Sequence, residues 1–491
     1  MAVQSQAWAL SGGLDLISPA LQMPPGKAIL AQNYECAMTG GYRRIDGYTI
    51  YDGRSNGTHL AVAGSGPIRG VWEYNNVVYA FRNNAGGSAC VMHKSTSSGW
   101  AVVSTPTLSP NGNFEFINHN FTGHSGSLKM FGCDGINKAF QFNGTTLSFL
   151  TTGMTTDTPS HIGVHKNHLF LSFTGGSVQH SGVGNPASWN LVTGAGEIGI
   201  GTEVTGFSSM KGDSLAITGI NQISILYGAS ASDWNLKLFS PAIGAVARTN
   251  GQMDSDLYFF NGDDLSSLTA TQAFGDFESA SVSAVVKPFI DARKNNTVGA
   301  TVNRDKNQYR LFFDDKSVLV GTIINRQVVG FTTWRLEHTP SFITEKYMGC
   351  TDGSVMYMDN GVSFNGTAIQ SYLRLPFTSF NTPHRKKRFR KATLELEAGS
   401  QATLDYLADY DYGSGGSSSG AQATVYGGGG FWDVANWNNF VWSSAVVASA
   451  EAYLNGSGMN ISLLIVHSSA TDPAFTLQGV QLNYSLRGLN R

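Results

Sequence analysis

Between residues 61 and 373 the hydrophobic positions fall in short bursts, each entered through a polar turn. Seven units show this: YNNVVYAF (74–81), HSGSLKMF (124–131), HKNHLFLSF (165–173), KGDSLAIT (211–218), MDSDLYFF (253–260), DKNQYRLFF (305–313) and TDGSVMYMD (351–359). Each reads as a β-hairpin, a turn followed by an alternating or wholly apolar strand. With Val77, Leu128, Leu169, Leu215, Leu257, Tyr309 and Val355 as markers, the spacings are 51, 41, 46, 42, 52 and 46 residues. Their mean, about 46, lies within the range of propeller blades. A second marker keeps the same phase: Trp100, Trp189, Trp234 and Trp334 follow the markers of their units by 23, 20, 19 and 25 residues. One large ring per unit is expected to wedge between neighbouring sheets. Successive sandwiches would also be all-β, but they carry no regular period, whereas radial stacking of like sheets does.

The rest of the chain predicts different elements. Helical periodicity is nearly absent, and only PPGKAILAQNY (24–34) could form one or two helical turns. After about residue 373 come the strands KATLELEAG (391–399) and QATLDYLADY (401–410), a low-complexity stretch GSGGSSSGAQ (413–422) expected to be a flexible loop, and the strands ISLLIVHS (461–468) and FTLQGVQLNYSL (475–486). The expected fold is all-β. An arm and hairpin (1–60) lead to a β-propeller of about seven blades (61–373) and then a C-terminal β-sandwich, or platform (374–491).

Composition agrees with a turn-rich β protein. Gly fills 58 of 491 positions and only 13% of residues are charged, against about 25% in an average domain. The first residues show no basic segment followed by an apolar run, and no stretch approaches the ~18 apolar residues of a membrane helix, so synthesis in a cytoplasm and no membrane segment are expected. Cys36, Cys90, Cys133 and Cys350 are far apart, without metal-ligand spacing, and are expected to be buried thiols.

Several constellations invite a chemical reading. GAGEIG (194–199) fits the dinucleotide pattern GxGxxG, yet strand-like IGTEVTGF follows where a helix is required, so a blade turn is expected. Asp409 and Asp411 are two apart, a spacing that suits paired carboxylates and equally suits surface acids at a strand end. His161, His165 and His168 cluster across a hairpin without a cysteine or carboxylate nearby, and FWDVANW (431–437) holds a WD pair outside the repeats. No GxSxG, HExxH or Walker pattern occurs. Neither an enzyme nor a cofactor is expected.

The opening GGLDLISPALQMPPGKAILAQNYECAMTGGYRRIDGYTIYDG, with its Gly-Tyr-Arg-Arg-x-x-Gly-Tyr hairpin at Gly41 to Tyr48, resembles the start of tail hub (nozzle, or packaged-DNA stabilisation) proteins of short-tailed bacteriophages. IGIGTEVTGFSSMKGDSLAITGINQISILYGAS (198–230) resembles a blade of that family, and FRKATLELEAG with FTLQGVQLNYSL resembles its closing sandwich. The likeness runs over nearly the whole chain. It implies a structural protein of the virion tail: a hexameric ring below the portal and head-to-tail adaptor that continues the DNA channel, retains packaged DNA and carries tail spikes or fibres. The long GSGGSSSG stretch and GGGGFWDVANWNNFVW depart from shorter members of the family and leave the distal partners open.

One motif bears on partners directly. HRKKRFRK (384–391) gathers six Lys and Arg in a chain of net charge -2. As a strand it would show Arg385, Lys387 and Phe389 on one face and Lys386, Arg388 and Arg390 on the other. With Lys391 and the hairpin's Arg43 and Arg44, these are the candidate partner- or DNA-facing residues. If all six strip cations met phosphates, affinity for a duplex would fall by about three decades between 50 and 200 mM salt. A mixed role is expected, part docking on an acidic adaptor or neighbouring subunit, part making non-specific contact with phage double-stranded DNA. The rival functions are a carbohydrate-binding or glycan-hydrolysing propeller and a nucleic-acid-binding propeller.

Overall fold

The computed structural model describes residues 3–19, 22–210, 214–253, 256–268, 281–398, 401–413, 419–426 and 448–489. Seven antiparallel sheets follow one another along the chain, at 65–102, 115–149, 161–199, 204–240, 251–267, 297–335 and 340–358. We number them blades 1 to 7. The first strands of consecutive blades pack side by side, and that of blade 7, Pro340–Ile343, returns to that of blade 1, Ser65–Tyr74. The ring is therefore closed, and the protein is a seven-bladed β-propeller.

Each blade packs on the next through its own hydrophobic cluster. Phe81, Phe114, Phe116 and Phe140 join blades 1 and 2. Phe170 and Val178 meet Leu215 and Ile217 between blades 3 and 4, and Phe312 and Val320 meet Met348 and Met356 between blades 6 and 7. The four tryptophans sit at these joints as expected: Trp100 between blades 7 and 1, Trp189 between 2 and 3, Trp234 between 3 and 4, Trp334 between 6 and 7. Small residues make room for the large ones. A Cβ on Gly163 would lie 2.6 Å from the Cβ of Phe207 in the adjacent blade.

The seventh unit differs from the expectation in phase. Val355 lies on the third strand of its blade, Val355–Met358, whereas the other markers lie on or beside the second. The fourth strand of blade 7 is Tyr48–Ile50, from the N-terminal arm, pairing Met356 with Ile50 and Met358 with Tyr48. Residues 48–50 thus close the ring, although their place in the sequence puts them with the arm.

The sandwich has two sheets around one core. The first contains Tyr34–Cys36, Tyr42–Arg44, Phe475–Leu489, Arg385–Ala398 and Ala448–Gly458, with Gln4–Ala9 added beside Phe475–Leu489. The second contains Leu30–Gln32, Ile369–Arg374, Ile461–Ser469, Gln401–Tyr410 and Ser419–Tyr426, and it continues into blade 6 because Gln32 pairs in parallel with Thr333. Leu394, Leu404, Ile465 and Leu482 fill the space between the sheets, and the same cluster runs on to Tyr309 and Leu311 of blade 6.

Two sequence expectations are corrected. Residues 24–34 hold no helix: Pro24, Pro25 and Gly26 make a turn, and Leu30–Gln32 and Tyr34–Cys36 are strands, because burying Ala31 and Tyr34 between sheets demands an extended chain. Of the low-complexity stretch, residues 419–422 belong to the strand Ser419–Tyr426, and 414–418 lie outside the described residues. The WD pair at 432–433 lies outside them too, with the rest of GGGGFWDVANWNNFVW. Among the described residues no helix is long and apolar enough to cross a membrane.

Candidate functional site

The basic strip forms the first half of the strand Arg385–Ala398, between Phe475–Leu489 and Ala448–Gly458. Pleating divides it. Lys387 and Phe389 point into the sandwich and are fully buried, while Arg388 and Arg390 are exposed and Lys386 is half-buried. A register shift between Phe389 and Lys391 marks a bulge at Arg390. Lys387 is satisfied internally: its amine donates to the carbonyls of Thr382 (2.7 Å), Met459 (2.8 Å) and Arg385 (3.0 Å). Desolvation pulls its pKa down to about 8. Lys391 is bound to Glu451 at 2.6 Å. Exposed Arg487, on the neighbouring strand, adds a cation beside the strip. Arg385, at the start of the strand, is half-buried and has no carboxylate partner among the described residues; nor do Lys386, Arg388 and Arg390 of the outward face or Arg487 beside them, so that face carries three of the six cations of the motif, and Arg487 makes a fourth.

The hairpin arginines are framework. In the strand Tyr42–Arg44, Tyr42 and Arg44 face inward and Arg43 between them faces out. Fully buried Arg44 donates to the carbonyls of Asp472 (2.7 Å), Ser469 (3.0 Å) and Val362 (3.0 Å), tying the hairpin to the sandwich and to the chain just after blade 7. Arg43 grips Glu35 at 2.5 Å and Asp46 at 2.8 Å. Arg44 and Lys387 therefore leave the partner-facing set: alternation turns them inward, where backbone carbonyls accept from the Lys387 amine and from both terminal nitrogens of Arg44. Arg43 is committed to its two carboxylates.

The other sequence candidates separate. His168 Nδ1 meets the Ser181 carbonyl at 2.6 Å and His161 Nδ1 meets Glu115 at 2.7 Å, so these two imidazoles serve different neighbours. No metal-binding group of three His, Cys, Asp or Glu occurs among the described residues. Asp409 is paired with Arg374, and Asp411 accepts from the Met459 amide at 2.6 Å. GAGEIG runs through a left-handed Gly194 into the outer strand Gly196–Gly199 of blade 3, so it lies within one blade and is not the blade-connecting turn expected. All four cysteines are buried and free.

Sequence reading missed the axis of the propeller. A cavity of about 280 Å³ lies there, walled by Trp72, Phe116, Phe207 and Phe342 from four first strands or their ends. A second, of about 380 Å³, shares Trp72, Asn250 and Ala300 with it. At one side Glu115, His161 and Arg248 meet. The Arg248 Nη2 atom reaches from the blade 4–5 connection to the Asn113 carbonyl beside blade 2, at 2.7 Å, and Nε lies 3.6 Å from Glu115. Burial alone would raise the Glu115 pKa; His161 and then Arg248 more than offset it and hold the carboxyl below its usual range. Arg248 adopts a left-handed φ of 62°, a conformation that costs a non-glycine residue about 1–3 kcal/mol and clusters at ligand clamps. Its Nε and the Asn250 Oδ1 are buried and make no hydrogen bond. The one sequence signal for this site was a pair of polar residues, Arg248 and Asn250, at the entry to blade 5, which looks like an ordinary connection.

No protein-family model matches the chain, and no curated protein matches it. Among solved structures it is similar to a streptogramin B lyase (10% identity, 63% of this chain and 96% of that one, TM-score 0.42). It is also similar to U3-55K (9%, 63% and 99%, TM-score 0.41) and to BamB from Moraxella catarrhalis (10%, 72% and 97%, TM-score 0.38).

Proposed function

We propose that this chain is the structural tail hub of a short-tailed phage. Six copies form a ring below portal and adaptor, continue the DNA channel, retain packaged DNA and anchor spikes or fibres. The protein is made in the host cytoplasm and resides in the virion tail, and the reading assigns it no catalysis. The observation that carries it is the role of the very residues behind the sequence resemblance. Of Gly41 to Tyr48, Tyr42 places its hydroxyl 3.1 Å from the carbonyls of Gly13 and Gly26, Arg44 ties the hairpin to the sandwich and to the chain just after blade 7, and Tyr48 accepts from the amides of Glu337 (3.0 Å) and His338 (3.2 Å). A motif that welds arm, propeller and platform into one unit suits a load-bearing subunit.

The width of the axis narrows the mechanism. Cavities of about 280 and 380 Å³ do not admit a double helix whose major groove alone is about 12 Å wide. On this reading DNA runs through a lumen between subunits, and the propeller is a wedge beside it. Lys386, Arg388, Arg390 and Arg487 then supply a surface either for an acidic adaptor or neighbouring subunit or for phosphate. A glycan-binding propeller is the second reading, and the aromatic-walled axial cavity is the observation in its favour.

Negative-stain electron microscopy of the purified chain, alone and mixed with adaptor-capped portal, tests the first reading. A sixfold ring with an open centre supports it. Single toroids that never join the portal overturn it.

A further inference from the structure

We infer that the axial cavity is a binding site for one neutral sugar ring, a free monosaccharide or the terminal unit of a glycan. The argument begins with the wall. Trp72 is held flat by two contacts: its indole donates to Asn118 Oδ1 at 2.9 Å, and its ring stacks on Phe116 at 5.8 Å between centroids, 26° apart. Phe342 meets Phe116 edge-on at 6.2 Å. Trp72 and Phe342 are only half-buried, so a fixed aromatic surface remains open to the cavity. The C–H face of a pyranose stacks on such a surface, since aromatic rings offer large apolar area at little cost in freedom.

The polar side selects the charge of the ligand. Glu115 lies 3.6 Å from Arg248 and meets His161 Nδ1 at 2.7 Å, so the guanidinium already faces a carboxylate. A carboxylate or phosphate entering the cavity would approach Arg248 only by also approaching Glu115. An ammonium would meet the reverse conflict. A hydroxyl both donates and accepts, and so suits a carboxylate, a guanidinium and an amide placed together. Neither the Arg248 Nε donor, in ion-pair range of Glu115 at 3.6 Å, nor the Asn250 Oδ1 acceptor makes a hydrogen bond, and these two residues of the cavity wall provide one hydrogen-bonding function of each kind. Asn250 is held in place by its amide nitrogen, which donates to Thr218 Oγ1 at 2.8 Å.

Size sets the last limit. About 280 Å³ is at the small end of ligand sites, roughly 300–1,000 Å³, and fits one ring. The strained Arg248 backbone fits the same reading, since a residue kept left-handed without glycine holds its guanidinium at the cavity wall, bonded to the Asn113 carbonyl. The site stands whether or not the chain forms a phage ring.

Saturation-transfer NMR on the full chain with glucose, galactose, rhamnose and N-acetylglucosamine, and with acetate and inorganic phosphate as controls, tests it. Transfer to the ring protons of at least one sugar at millimolar concentration is expected, with none to acetate. Arg248→Gly relieves the left-handed backbone while removing the guanidinium, and Asn250→Ala removes the acceptor. Each is expected to weaken the sugar at least tenfold, with circular dichroism showing that both variants remain folded. Failure of all four sugars, or sugar binding that survives Arg248→Gly, overturns the inference. Phosphate or acetate binding that Arg248→Gly abolishes makes the cavity an anion site and overturns it as well.

Discussion

Replacing Asp359 by Asn strikes the ion network that fastens the arm to the propeller. Fully buried Arg310 meets Asp359 in a two-pronged pair, Nη1 to Oδ2 at 2.6 Å and Nη2 to Oδ1 at 3.0 Å, and Lys306 joins at 2.9 Å. Lys306 in turn holds Asp46 at 2.8 Å and Glu35 at 3.3 Å, both on the hairpin. Asparagine keeps the shape but sets an amide donor against donors and leaves Arg310 without a counter-charge. Breaking a buried pair from one side costs about 3–5 kcal/mol. Arg310 keeps the Gln308 carbonyl, 2.8 and 2.9 Å away, and the face of Trp334, 4.5 Å away, so the low end, about 3 kcal/mol, is expected. Burial alone would raise the Asp359 pKa; Arg310 and then Lys306 outweigh it and drive it far below the carboxylate range. A depressed acid gives its full stabilisation above its unfolded value of 3.8 and loses it progressively as the pH falls from there to the folded value, so the deficit of the variant is the same at pH 7 and pH 5. Urea unfolding of parent, Asp359→Asn and the double variant Asp359→Leu/Arg310→Met measures this, with most of the loss restored in the double variant because apolar partners remove the stranded charge. A single variant within about 0.5 kcal/mol of the parent, or a double variant no better than the single, refutes the reasoning.

Four outward cations in place of six predict a shallower salt dependence. Duplex affinity is expected to fall by about two decades between 50 and 200 mM salt, and Arg388→Ala/Arg390→Ala to halve the slope; fluorescence anisotropy that finds the six-contact slope, or none, refutes it. Lys387 has a folded pKa of about 8, below its ordinary 10.5, so the unfolded chain holds that proton longer and stability rises with pH between those values, by at most about 1.4 kcal/mol per pH unit. Unfolding at pH 7.5 and 9.5 should show a pH increment in the parent that Lys387→Met lacks, and equal increments refute it. Gly163→Ala forces a Cβ against Phe207 and is expected to cost about 1–3 kcal/mol in urea unfolding; a neutral result means the inner strands are not close-packed.

The propeller was legible because its signal is local. A turn followed by an apolar strand is written in eight residues, and seven copies reveal the period. The tryptophans were legible for the same reason. What lay beyond sequence reading was pairing between distant segments. Nothing in Tyr48–Ile50 announces that it completes a sheet begun at Pro340, so the seventh unit was read one hairpin out of phase. The strip HRKKRFRK was correctly divided into two faces by alternation, but which face would be buried depended on Phe389 needing the core, and a lysine went in with it. The same alternation, applied to Tyr42, Arg43 and Arg44, would have sent Arg44 inward with the tyrosine. The axial cavity is least legible, since its aromatic walls come from four blades and each ring alone looks like core.

The route of the chain makes ring closure and platform assembly one event. The arm threads the sandwich at Leu30–Gln32 and Tyr34–Cys36, turns through the hairpin, and only then supplies the closing strand Tyr48–Ile50. That strand is three residues long and would close the ring weakly by itself. It is held from both sides: Tyr48 stacks on Phe364 at 4.7 Å, and four residues before it Arg44 is bound to the sandwich carbonyls of Ser469 and Asp472. Blade 7 therefore cannot open without pulling Arg44 from the platform, and the platform cannot shed the arm without unlatching the ring. Load applied to the sandwich reaches the propeller through buried hydrogen bonds instead of a linker, a mechanical property that the proposed tail-hub role would require.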